Sequence, residues 1–151
     1  MGLAQKMKKI TTIVHTRQVI SMKKNVKYLD IFNSQETFDK LFKTDFDALT
    51  TLKLRKFHKQ YLEHLQDIEE IRNKVIKKYG KQEGDMLYID PQDTEAIKKY
   101  TEEITPVMNT EVEIENYDIK ISDLKNFKCS VKDLVFLELF FENDLEEEVK
   151  K

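Results

Sequence analysis

The clearest pattern along the chain is one apolar stripe, formed by Leu54, Phe57, Tyr61, Leu65, Ile68, Ile71, Val75 and Tyr79. Its members recur at intervals of three or four residues, so on a helix they line a single face. The residues between them are charged: Lys56, Lys59, Glu63, Asp67, Glu70, Lys74 and Lys77. Glu70 precedes Lys74 by one helical turn, the favourable order for an ion pair on a helix. Asp45 is expected to cap the start. Lys77 and Lys78 suit the negative end of a helix, and Gly80 is a natural residue just past it. The spacing predicts a helix over residues 45–79, about 50 Å long. A domain of this size has a radius of gyration of about 15 Å. Part of the helix is therefore expected to project, or to pack on another chain.

The flanking patterns are shorter. Residues 10–20 are rich in β-branched side chains (Ile10, Thr11, Thr12, Ile13, Val14, Thr16, Val19, Ile20), which favours a strand. Ile10, Ile13 and Val14 also fit a helical face. Residues 26–32 suit strand or helix. Asn33, with Glu36 three positions on, has the form of a capping box. It predicts a short helix that turns Phe38, Leu41 and Phe42 inward. Gln82 to Asp85 is turn chemistry, and residues 86–89 form one arm of a β-ribbon. Asp90 and Pro91 are expected to open the next helix as N-cap and first residue. That helix presents Ile97, Tyr100, Ile104, Val107 and Met108, is bent or ended at Pro106, and folds back on the long helix as an αα-hairpin. Residues 111–114 and 117–121 alternate strictly and predict half-buried strands. Residues 122–126 make a turn or a single helical turn. Ser130 and Asp133 form a second capping arrangement, opening a helix over residues 131–142. Leu134, Val135, Leu137, Leu139, Phe140 and Phe141 make that helix apolar around most of its circumference, so it is either core or an interface.

These elements give an α+β, mostly helical fold class: a long helical hairpin, a small β element and a C-terminal apolar helix. A single domain is expected over residues 1–151, with residues 1–9 and 144–151 flexible. Composition agrees. Charged residues make up 36% of the chain and only 3 glycines and 2 prolines interrupt it, which favours long solvated helices. The balance of 26 basic against 28 acidic side chains lacks the basic excess of a dedicated nucleic-acid binder. Cys129 is the sole cysteine, so no internal disulfide forms and a reducing compartment is expected. No apolar run has the length of a bilayer span. Met7 offers a second start, which would make residues 1–6 a leader. That leader lacks the apolar core of a signal peptide and the hydroxyl residue that myristoylation prefers.

Residues able to carry chemistry are few. His58 and His64 are about 120° apart around a helix, unlike the paired histidines of a zinc site. His15 stands alone. Cys129 has no histidine near it in sequence to act as a base. The carboxylate pairs Glu69–Glu70 and Glu102–Glu103, and the run 146–148, sit in charged helical contexts rather than apolar pockets. Asp85, Asp90 and Asp93 lack the glycine and the closing glutamate of a calcium-binding loop. The glycines form no phosphate-cradling motif. Lys53, Arg55, Lys56 and Lys59 are a basic cluster without interleaved stacking aromatics. No catalytic, cofactor or metal role is therefore assigned. The strongest positive signal is apolar surface, and the candidate interaction residues are Leu134, Leu137, Phe140, Phe141, Tyr61, Leu65 and Ile68.

One further pattern is familiar. Residues 52–57 (Leu, Lys, Leu, Arg, Lys, Phe) precede a charged helix that ends in Ile76, Lys77, Lys78, Tyr79 and Gly80. A short variable ribbon and a second helix follow. Next come Asn109, Thr110, Glu111, Val112, Glu113 and Ile114, then the Ser122, Asp123, Leu124 turn, and a closing helix over 134–141. This order resembles small uncharacterised proteins of tailed phages and prophages of low-GC Gram-positive bacteria, over about residues 45–142. The resemblance implies phage origin and a non-enzymatic role. It leads to the expectation of an interaction protein that is a structural or assembly component of the virion, such as a head or tail accessory. The alternative is a phage-encoded inhibitor of a host defence system, anti-CRISPR-like or otherwise, that binds a host effector. An enzyme is the third and weakest reading. The expected partners are phage structural proteins or a host defence protein. A homo-oligomer is also expected, in the host cytoplasm or the virion, with no cofactor, no membrane and no nucleic acid.

Overall fold

The structure is a computed structural model and describes residues 23–145. The strand expected over residues 10–20, His15, residues 1–9 and residues 146–151 lie outside the described residues. Ten elements follow in order. Strand β1 (Lys23–Lys27) leads directly into helix α1 (Tyr28–Asn33), then α2 (Gln35–Phe42) and the long helix α3 (Ala48–Tyr79). A ribbon of β2 (Lys81–Glu83) and β3 (Met86–Tyr88) connects to α4 (Thr94–Met108). Strand β4 (Glu111–Glu115), a 3-10 turn (Ile121–Leu124) and α5 (Val131–Phe140) complete the chain. The fold is mostly helical α+β, built on the expected hairpin of α3 with α4. Among the described residues, no helix is long and apolar enough to cross a membrane.

Helix α3 starts two residues later than Asp45. Asp47 holds the extended N-cap conformation, and its carbonyl accepts from the Thr51 N–H at 2.9 Å. Neither aspartate side chain caps the helix. Phe46 explains the shift, because it packs against the core and the chain must stay extended to reach it. Asn33 likewise ends α1 rather than capping α2. Ser34 takes the junction instead and is fully buried. Its Oγ donates to the Ile31 carbonyl at 3.1 Å and lies 2.9 Å from the Tyr61 hydroxyl. Glu36 is left exposed, near Lys132. Residues 26–32 are both things the sequence allowed, strand to Lys27 and helix from Tyr28.

Asp93, not Asp90, caps α4, accepting from the Ala96 N–H at 3.0 Å. Asp90 accepts from Gln92 N–H one turn earlier. Pro106 lies inside the last turn, and α4 ends two residues on at Met108. The ribbon forms as expected. Gly84, at φ +58°, takes the first position of its two-residue loop, where a tight hairpin calls for glycine. Gly80 is needed for a different reason. A Cβ there would meet the backbone carbonyls of Tyr88 and Ile76, the latter at 2.6 Å.

Strands β1 and β4 pair antiparallel, with Lys23 opposite Glu115, Asn25 opposite Glu113 and Lys27 opposite Glu111. Val26 and Ile114 face the core. Gln60 of α3 meets the end of β4 with both halves of its amide. It donates to the Glu115 carbonyl at 3.2 Å and accepts from the Glu115 N–H at 3.1 Å. The strand expected over residues 117–121 is not formed. Tyr117 (φ 55°) and Asp118 (φ 57°) reverse the chain in the left-handed region, pinned by buried Asn116. Its side chain donates to the Phe140 carbonyl and accepts from the Asp118 N–H. Only Lys120 retains a bridge, to Glu142. Alternation here reflects Ile119 and Ile121 both turning inward from an irregular segment.

The core is aromatic. Phe38 sits at its centre, with ring centroids 4.7 Å from Tyr61, 5.0 Å from Phe140 and 5.3 Å from Phe57. Tilted and edge-to-face rings at such distances add to what area burial alone supplies. Burial pushes the Tyr61 phenol up to about 12, against the lowering effect of its Ser34 contact. Its proton stays in place, so its role is structural.

Candidate functional site

Helix α5 is short, and its position is set by one buried carboxylate. Ser130 and Asp133 form the expected capping box: Ser130 Oγ accepts from the Asp133 N–H, and Asp133 Oδ2 accepts from the Ser130 N–H, both at 3.1 Å. Asp133 is 2% exposed. It also accepts from the Thr37 hydroxyl at 2.6 Å and from Lys40 Nζ at 3.0 Å, both on α2. Burial alone would raise its pKa. The bonds from Thr37, the Ser130 N–H and Lys40 outweigh that and hold the carboxyl well below the usual range. Both of its oxygens are engaged, by three donors in all, so Asp133 anchors α5 to α2.

The anchor fixes the rotation of α5. Leu137 and Phe140 turn inward with Asp133, and Phe141 follows them into the core at the helix end. Val131 (83% exposed), Val135 (57%) and Leu139 (39%) turn out. These three recur every four residues and form one outward stripe. The helix ends at Phe140 rather than 142, because Phe141 turns extended to enter the core. Beside the stripe lies a groove of about 370 Å³, lined by Leu124, Phe127, Leu134, Leu137 and Leu145 among others. Its floor is the 3-10 turn, held to the chain end by Ser122, whose N–H donates to Asp144 at 2.9 Å and whose hydroxyl bonds the same carboxylate.

The seven residues expected to mediate interaction converge on this region's interior. Leu137, Phe140, Phe141, Tyr61 and Ile68 are buried in one cluster, with Leu65 and Leu134 packed against it. Tyr61, Leu65 and Ile68 come from α3, the other four from α5 or its end. Five of the seven thus belong to the chain's own core and offer no surface to a partner. Leu134 lines the groove, together with the edge of Leu137. The residues that α5 turns outward, Val131, Val135 and Leu139, are not among the seven. Their regular spacing was present in the sequence, but apolarity on nearly every side concealed which face turns in.

The titratable candidates are scattered. His58 stacks on Phe42 at 4.0 Å, beside a cavity of about 230 Å³, and His64 leans on Tyr28 at 6.1 Å. Cys129 is exposed on the rim of the groove. Partial burial pushes its thiol up, and neighbouring Asp133 adds to this, the reverse of what a nucleophile needs. Lys56 lies 5.9 Å above the Tyr117 ring. Among the described residues, no three His, Cys, Asp or Glu side chains could hold a metal ion. A second open cavity, about 400 Å³, lies between α3, β3 and α4 and is lined by Arg72, Ile76, Tyr88 and Tyr100 among others. Neither a family model, nor a curated protein, nor a solved structure matches the chain.

Proposed function

We propose that this is a phage-encoded, non-enzymatic interaction protein, a structural or assembly component of the virion head or tail. The observation that carries the reading is the outward apolar stripe of α5, held in a fixed orientation by buried Asp133 and flanked by an apolar groove. A firmly anchored helix that turns two valines and a leucine to solvent beside an apolar groove supports reading this face as a contact surface. The resemblance over residues 45–142 supplies the phage setting. The partners are phage structural proteins, met in the host cytoplasm or the virion, and no cofactor, membrane or nucleic acid is required.

Mass spectrometry of purified particles, combined with capture by the tagged protein from infected cells, tests this. The expected result is the protein in particles, or a head or tail protein among those captured. Capture of a host nuclease or an NAD-consuming effector would favour the rival reading, an inhibitor of host defence. Absence from particles, with neither class of protein captured, would overturn both.

A further inference from the structure

The cavity of about 400 Å³ between α3, β3 and α4 is walled by Ile76 of α3, by Leu87 and Ile89 of β3 and its exit, and by Ile97 of α4. Arg72 and Tyr100 share these walls, both half-buried, and no acidic residue lines the cavity. Among the described residues, Arg72 forms no ion pair, and neither side chain has a hydrogen-bond partner. The Arg72 guanidinium carbon lies 5.6 Å from the centre of the Phe32 ring. An aromatic ring attracts the cation but carries no countercharge, so the fork of N–H donors still lacks an anion. The remaining hydroxyls on the walls are already engaged. Tyr88 donates to Glu83 at 3.0 Å, and Thr101 donates to the Ile97 carbonyl at 2.8 Å.

An arginine stays charged at every pH the fold survives, and its planar fork fits a carboxylate through two parallel bonds. We propose that this cavity binds a small carboxylate carried on an apolar body, with its oxygens on Arg72 and the Tyr100 hydroxyl and its body against Ile76, Ile89 and Ile97. One cation matches one negative charge. A phosphate dianion would leave its second charge unmatched against apolar walls. A mostly apolar cavity with a few polar groups on its walls is the usual form of a small-molecule site, and this volume lies toward the small end of such sites. The walls come from three elements, so an occupant ties the ribbon and α4 to α3. The ligand therefore steadies the distal hairpin and leaves the aromatic core as it is. This site is separate from the α5 surface, and neither reading depends on the other.

Hydrogen exchange on the full chain, with and without phenylacetate, tests the site. A ligand of so few atoms is expected to bind at about millimolar concentration. At about ten times its dissociation constant, exchange in β2, β3 and α4 should slow about tenfold, while β1, β4 and α5 stay unchanged. Phenylacetamide, which has the same body and no charge, should give no protection. Arg72→Gln should abolish the effect of phenylacetate, and Tyr100→Phe should weaken binding about fivefold. The amide control needs no variant, so the test does not hang on how well Arg72→Gln folds. A short peptide ending in phenylalanine with a free carboxylate, run in parallel, separates the two sources of this chemistry. Tighter binding of the peptide assigns the site to a protein C-terminus, and tighter binding of phenylacetate assigns it to a free acid. No protection by either, equal protection by the amide, or protection that survives Arg72→Gln overturns the proposal.

Discussion

The two halves of α3 carry the same stripe into different surroundings. From its start to Ile68, Leu54, Phe57, Tyr61 and Ile68 enter one continuous core with Phe38, Phe140 and Ile114, covered by α1, α2, β4 and α5. In the second half, Val75 and Ile76 are buried too, along with Ala96 and Ile104 of α4, yet they lie outside that core. One helix and a ribbon of two three-residue strands cover them. Periodicity alone made the halves look equivalent. What separates them is the number of elements converging on the stripe, and the buried phenylalanine cluster that packs on the first part. Buried apolar area, rather than helical pattern, sets how strongly each half is held. The distal hairpin is expected to open without the body unfolding. Native-state hydrogen exchange that found one uniform opening energy along α3 would contradict this.

The largest effect is expected in the body. Phe38→Ala removes the ring around which the others pack and should cost about 3–5 kcal/mol in denaturant unfolding. If it costs less than about 1 kcal/mol, the body is not the stronger half. Next is Asp133→Asn, which breaks the bonds tying α5 to α2 and should cost about 2–4 kcal/mol at neutral pH. The sign of its pH dependence follows from the depressed native pKa. Its contribution is complete above the ordinary carboxylate range and is lost as pH falls through and below that range. Acid titration of stability should therefore be steeper in wild type than in Asp133→Asn.

Smaller effects are expected in the hairpin. Gly80→Ala forces backbone apart where the ribbon leaves α3, at about 1–3 kcal/mol. Exchange should quicken in β2, β3 and α4 and stay unchanged in β1, β4 and α5. The smallest belongs to Lys78→Ala. Its 2.7 Å bridge to Glu103 is largely solvated, and such pairs contribute little. No measurable change in thermal midpoint is expected. A large drop would show that ion pairing holds the hairpin.

Legibility followed the same division. Elements specified by their own residues were readable: the α3 stripe, a turn ahead of the ribbon arm at Met86 (tighter than the expected 82–85, since Gln82 and Glu83 pair as strand), the Ser130–Asp133 box. Errors fell where a distant partner decided the outcome. Asn33 and Glu36 satisfied the local rule for a helix cap, but Ser34 reaches Tyr61 across the core and takes the junction. Tyr117 and Asp118 alternate like a strand, yet Asn116 bonds the Phe140 carbonyl and turns the chain. The outward face of α5 was unreadable for the same reason. Nothing near it in sequence reveals that Thr37 and Lys40 hold Asp133 and so choose which side of the helix is left wet.

Gln60 has a consequence for solubility. Among the described residues the β1–β4 sheet has two strands, and unpaired strand borders can recruit strands from neighbouring molecules. The Gln60 amide presents the same donor and acceptor that a neighbouring strand would, and it occupies Glu115 on both counts. One side chain thus stands in for a strand and closes the end of that border to growth. The helix that serves the interior with its apolar stripe thus also caps the end of β4.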